Sequence, residues 1–187
     1  MRSLCKHVAD IASPALAALV ISSMSATAIA TSREQLDAQV HEAIQNLYRH
    51  SPAAKELAQN ASGMLIFPNI IKAGLGIGGE FGEGALLVSD QTVAYYNIAS
   101  ASIGFQLGVQ EKSVAILFMS AESLAKFRES KGWKAGVDGS IAIANLGAGK
   151  SLDTETARKP IIGFVYSNKG LMYNLTLEGS KITQTQK

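Results

Sequence analysis

The stretch from Gly63 to Gly84 constrains this chain most, because it sets an apolar run, a proline and seven glycines within 22 residues. Met64, Leu65, Ile66 and Phe67 form a short apolar run bounded by Gly63 and Pro68, which reads as a buried strand. Gly74, Gly76, Gly78, Gly79, Gly82 and Gly84 follow at mostly even spacing, with Leu75, Ile77 and Phe81 among them. Alternate residues of a strand point to opposite faces, so one face here is nearly bare backbone. Bare backbone permits a sharp bend, a bulge, or the close approach of another element or a ligand.

The ends of the chain bound its class. Arg2, Lys6 and His7 precede the mostly apolar Ile11–Ile21, and small residues follow, ending in Ala28-Ile29-Ala30. That order predicts a secretory signal peptide over residues 1–30, cleaved after Ala30 or after Ala28, and hence an exported, periplasmic or envelope-associated protein. The alternative is an uncleaved N-terminal anchor, for which the apolar length is short. The only cysteine, Cys5, lies before the apolar region, so the mature chain has no disulfide and no thiol chemistry. Loss of Arg2, Lys6 and Asp10 leaves 15 basic and 14 acidic side chains, a balance with no global attraction for nucleic acid. Residues 31–187 suit a single domain with a substantial core.

Within that domain Ser32 and Gln35 form a capping box ahead of Leu36, Val40, Ile44 and Leu47, which predicts a helix with one apolar stripe. Ser51-Pro52 opens a second helix that ends near Gly63. Beyond Met64 the pattern is mostly strands: Ala85–Val88, Thr92–Ala99, the alternating Ile103–Val109, and Val114–Phe118. Turns are expected at Ser89-Asp90-Gln91 and at Glu111-Lys112. Ser120 caps a further short helix with Leu124 and Phe127 inward, ending before Gly132. Val137–Ile143, Ile161–Tyr166, Leu171–Leu177 and Lys181–Thr183 complete the strands, with turns at Ser167–Gly170 and Glu178–Ser180. Short turns between strands imply antiparallel pairing. The expected fold class is therefore α+β: N-terminal helices packed on an antiparallel sheet able to curl into a barrel, with one further short helix.

Several segments carry a family resemblance. They are Gly63-Met64-Leu65-Ile66-Phe67-Pro68, Lys72-Ala73-Gly74, Gly78-Gly79-Glu80, Gly82-Glu83-Gly84, and Ala101-Ser102-Ile103-Gly104 with Gln106 and Gly108. Phe118-Met119, Phe127, Gly136-Val137-Asp138, Lys169-Gly170-Leu171 and Leu177-Glu178-Gly179-Ser180 follow in order. No single piece is specific, but the ordered set over roughly residues 50–183 resembles the SYLF-domain family. The resemblance implies a lipid-binding module, whose eukaryotic members bind phosphoinositides and in some cases associate with actin. This chain departs from the eukaryotic pattern in lacking a basic amphipathic segment before the domain and any appended Src-homology or zinc-binding module. What the resemblance implies here is a general capacity for anionic lipid.

Other chemistries find little footing. Gly74–Gly79 satisfies GxGxxG, but the acidic, glycine-broken run from Glu80 to Gly84 cannot supply the helix that a nucleotide site needs. Gly147-Ala148-Gly149-Lys150-Ser151 resembles a phosphate loop yet lacks its first glycine and a following long helix, so it reads as a loop. His41 and His50 do not have metal-ligand spacing, and no metal or cofactor is expected. Glu80, Glu83 and Asp138 are the only acid–base candidates, with solvated or turn-bonded carboxylates the simpler reading; no catalytic residue is assigned.

The remaining candidate is basic. Lys126, Arg128, Lys131 and Lys134 surround Gly132 and Trp133, interrupted by Glu129, and Lys150, Arg158 and Lys159 form a second cluster. A tryptophan beside cations is an interfacial anchor, whereas a Trp133 buried as core beside a solvated helix end is the plainer reading. Each basic group near an anionic surface contributes about 1 kcal/mol, so four give roughly millimolar attraction. The expected function is a non-enzymatic, envelope-associated protein contacting anionic phospholipid through these residues. The alternative is a structural or protein-binding role through an exposed strand edge.

Overall fold

Both N-terminal helices form where their caps place them. In the computed structural model, which describes residues 31–144, 154–167, 170–171 and 177–187 (backbone alone at 73–77, 102–110, 154 and 170–171), α1 spans Arg33–His50 and α2 spans Pro52–Asn60. Ser32 Oγ accepts from Gln35 N at 3.2 Å, and the Gln35 side chain accepts from Ser32 N, closing the capping box. Ser51 serves both helices: its N–H donates to Leu47 O at 2.9 Å, and its Oγ accepts from Ala54 N at 3.0 Å. The signal peptide expected at 1–30, the loop expected around Lys150, the turn expected at Asn168-Lys169 and most of the strand expected over Leu171–Leu177 lie outside the described residues.

The strands that follow are longer than the sequence suggests. β1 runs unbroken from Gly63 to Val88 and β2 from Gln91 to Phe118, paired antiparallel from end to end. Ser89 and Asp90 make the tight turn between them, with φ of 50° and 61°. Pro68 therefore does not end a strand. It falls at a register shift between Phe67 and Ile70, where its missing N–H breaks no ladder bond, and Ser113 Oγ donates to its carbonyl at 2.6 Å. The expected turn at Glu111-Lys112 is also strand, since Glu111 pairs with Ile71 and Lys112 with Ile70.

β2 is the spine of the sheet. One edge pairs with β1 throughout; the other pairs with β7 (Lys181–Thr185) at Tyr95–Ala99 and with β5 (Ile161–Ser167) at Ser113–Phe118. Short strands β3 (Trp133–Lys134), β4 (Ala142–Ile143) and β6 (Gly170–Leu171) join β7 and β5, giving seven strands among the described residues. All pairs are antiparallel except β4 with β5. That parallel pair is possible because Ile143 and Ile161 are far enough apart in the sequence for a crossover, and α4 (Thr154–Ala157) lies between them in the chain. The strand expected over Val137–Ile143 shrinks to β4, because residues 134–139 close a turn instead.

The glycine-rich face lets the sheet curl upon itself. A methyl group at Gly82 would stand 2.8 Å from Ile70 Cγ1 and 2.9 Å from the Asn69 carbonyl oxygen. One at Gly84 would strike the Ile66 carbonyl oxygen and the Phe67 ring. The second half of β1 thus lies directly against its first half, an approach that only absent side chains allow.

Each face of the curled sheet has its own core. Met64, Ile66, Ala115, Leu117, Ile162 and Phe164 pack with Leu36, Val40, Ile44 and Leu47 of α1. Leu65, Phe67, Ile116 and Phe118 point the other way, toward Leu124 and Phe127 of α3 (Ala121–Glu129). This alternation is the period of two expected of a strand buried on both faces. Asp37 fastens α1 to the sheet, accepting from Thr92 Oγ1 and Tyr95 Oη, each at 3.0 Å. Tyr166 Oη donates to Ala43 O at 3.1 Å; burial first, then Tyr48, drives this phenol far above its ordinary range.

Candidate functional site

α3 and the segment after it organise the basic residues. Phe127 stacks with Phe118 at 4.8 Å and Tyr96 at 5.0 Å between ring centroids, and meets Trp133 edge-on at 5.8 Å. Trp133 is consequently only 3% exposed, so the indole is a core residue and not an interfacial ring. Its role is to pin the backbone that carries Lys131 and Lys134, both of which face solvent.

β3 pairs with β7 so that Lys134 lies directly opposite Lys181. A Cβ on Gly132 would come 3.0 Å from Lys181 Cε, which places Lys181 across Gly132 as well. Like charges directly opposite on antiparallel strands repel. Lys131, Lys134 and Lys181 therefore form a cationic cluster whose third member was invisible in the sequence, since nothing local indicates that β7 returns beside β3. Asp138 lies next to it, with Oδ2 accepting from Lys134 N at 2.6 Å. That contact closes the turn, so Asp138 is a turn carboxylate.

The other predicted cations are distributed around α3. Lys126 pairs with Glu122 one turn earlier at 2.7 Å, which lowers the carboxyl and raises the amine of two exposed side chains. Arg128 lines a cleft of about 380 Å³ with Val93, Ala94, Tyr96, Ala125, Glu129 and Gln184. Burial raises the Tyr96 hydroxyl there, and Arg128 partly offsets it. Arg158 and Lys159 are exposed at the opposite end of the helix, because the neighbouring Pro160 carbonyl accepts from Met119 N and Ser123 Oγ. The nine residues of α3, about 13 Å, separate them from the lysine cluster. Lys150 lies outside the described residues.

The acid–base candidates are engaged elsewhere. Glu80 and Glu83 are three residues apart in unbroken register, so they face opposite sides of the sheet. Glu80 binds Lys112 at 2.7 Å and Lys72 at 3.5 Å. Glu83 binds Lys187 at 2.9 Å and accepts from Thr31 N at 3.3 Å. Both carboxylates are thus structural ion-pair members. His41 and His50 are exposed, and the His41 ring Nδ1 lies 2.9 Å from Asp37 O. Among the described residues no three His, Cys, Asp or Glu side chains gather as a metal site would require.

A second cleft of about 460 Å³ lies between the α1–α2 pair and the β1–β2 turn, with Tyr48, Lys55, Ser62 and Asp90 in its lining. Burial and then Asp90 push the Tyr48 hydroxyl up, so it stays a neutral donor. Neither cleft holds a histidine or cysteine to activate a nucleophile.

Residues 99–187 match the family model described as Ysc84, Las17-binding protein actin regulator. This stretch belongs to the SYLF (Ysc84) family. The SYLF match takes in most of β2, all of α3 and every strand from β3 to β7, and hence the whole lysine cluster. None of the curated proteins matches the chain. The SYLF (Ysc84) domains are a family of binding domains.

Proposed function

We propose that this protein is an exported, non-enzymatic, envelope-associated SYLF protein that contacts anionic phospholipid headgroups through Lys131, Lys134 and Lys181, with Arg128 at the flank. The observation that supports this reading is the Lys134–Lys181 cross-strand pair. Its repulsion is relieved by an anion bridging the two ammonium groups, so a phosphodiester surface gains where water does not. Arg158, Lys159 and Lys150 would add attraction only if the membrane also reaches the other end of α3.

Co-sedimentation with phosphatidylglycerol vesicles tests it. Changing Lys131, Lys134 and Lys181 together to Gln should weaken binding about 100-fold, at about 1 kcal/mol per cation. Unchanged binding would remove the cluster from the account. Raising salt from about 50 mM to about 300 mM should also release the wild-type protein, since exposed charges are screened.

A second reading has its own support. β1 pairs only with β2 among the described residues, and Ile71 and Phe81 on it are 51% and 53% exposed. Such an edge suits strand addition by a protein partner. Association of that kind would persist at high salt and survive the lysine substitutions.

A further inference from the structure

Thr31 is held from both sides of its own backbone. Its N–H donates to Glu83 Oε2 at 3.3 Å, and its carbonyl accepts from Lys187 Nζ at 2.5 Å. Lys187 Nζ and Glu83 Oε1, 2.9 Å apart, close the ring, and the Lys187 side chain is almost entirely buried. A salt bridge devoted to one backbone residue is a costly arrangement for a mere connection between a leader and a domain. Asn97 adds a second, separate observation. It sits directly across from Glu83 in the β1–β2 register, and its Oδ1 is buried with no hydrogen-bond partner. A buried acceptor left unpaired costs free energy, so the site has one acceptor more than a peptide N–H can satisfy.

We propose that Glu83, Asn97 and Lys187 form a receptor for the free α-ammonium of Thr31, created when a leader peptidase hydrolyses the Ala30–Thr31 bond. Water adds across that amide: hydroxyl goes to the Ala30 carbonyl carbon, the C–N bond breaks, and the products are a carboxylate on Ala30 and an ammonium on Thr31. The ammonium carries three N–H donors where the peptide had one. One continues to Glu83 Oε2, now as a charge-assisted bond, and another reaches toward Asn97 Oδ1. Lys187 opposes the new charge, but it is neutralised by Glu83 and retains the Thr31 carbonyl; Arg33 and Glu34, the next charges along the chain, are of opposite sign. Glu83 is already held below its ordinary value, its own burial being outweighed by Lys187 and Thr31, so it is ionised and ready for a second cation. Processing would thereby seal α1 to the strand that carries Glu83.

This inference rests on the export reading, and the test separates the two. The full chain is expressed in a Gram-negative host, recovered from the periplasm and weighed intact. A mass beginning at Thr31 is expected. An uncleaved chain would overturn both export and this inference, whereas cleavage at another residue would overturn this inference alone. The processed protein is then treated with 2-pyridinecarboxaldehyde, which labels only free α-amines. Labelling of Thr31 should be about tenfold slower in the wild type than in Glu83→Gln, from loss of one charge-assisted hydrogen bond. Should Glu83→Gln fail to fold, Asn97→Ala decides, with severalfold faster labelling expected. Equal rates in the wild type and the folded variants would overturn the receptor.

Discussion

At the scale of single residues, the chain depends on two kinds of close approach: backbone against backbone, and charge against charge. Gly84→Ala would push a methyl group into the Ile66 carbonyl and the Phe67 ring, where neither the backbone nor a fully buried ring can retreat. Overpacking of this sort costs about 1–3 kcal/mol, and a lowered urea midpoint at unchanged slope would register it. Lys112 is 8% exposed and leans on Glu80. Glu80→Gln should therefore destabilise by roughly 3 kcal/mol, because it leaves a buried ammonium with its counter-charge gone. Replacing both, with Glu80→Gln and Lys112→Met together, should recover most of that loss, and a double-mutant cycle in urea measures the coupling.

At the scale of elements, α3 makes the aromatic plug on which the cationic segment rests. Phe127 touches Tyr96, Phe118 and Trp133, so the helix, two distant points of β2 and β3 meet in one ring cluster. Trp133 is the only tryptophan, which makes its fluorescence a direct report on that cluster. Emission should be blue-shifted in the native protein and should stay unchanged when anionic vesicles are added at low salt. A further blue shift on vesicle addition would mean that the ring leaves the core and enters the membrane interface, and that lysines are not the sole contact.

At the scale of the whole molecule, residues 31–187 behave as one compact unit whose beginning and end meet at Glu83. That closure carries a pH dependence. Burial alone would raise the Glu83 carboxyl, yet Lys187 and Thr31 outweigh it and hold the group below the ordinary 4.5. A carboxyl depressed in the folded state contributes stability above its unfolded value and loses it as pH falls through the folded one. Urea midpoints measured from about pH 6 down to about pH 3 should decline in the lower part of that range, and Glu83→Gln should flatten part of the decline.

Short-range chemistry made much of this architecture legible. Ser32 with Gln35, Ser51 with Pro52, and Ser120 each cap a helix within three or four residues, so the starts of α1, α2 and α3 stand in the sequence. The two-residue turn at Ser89-Asp90 and the bare glycine face of β1 are equally local. What the amino-acid order left open were the places where a local signal has two meanings. Pro68 and Glu111-Lys112 read as breaks, but a bulge absorbs the proline and Glu80 neutralises the lysine, so both stretches join into long strands. Contacts between distant residues were decided by the tertiary structure alone. Thr31 finds Glu83 across 52 positions and Lys187 across 156, and Lys181 finds Lys134 only because β7 returns beside β3. Caps, turns and strand alternation act over a few residues and leave their mark on the sequence, whereas charge pairing is set by how the folded chain closes, which no short window contains.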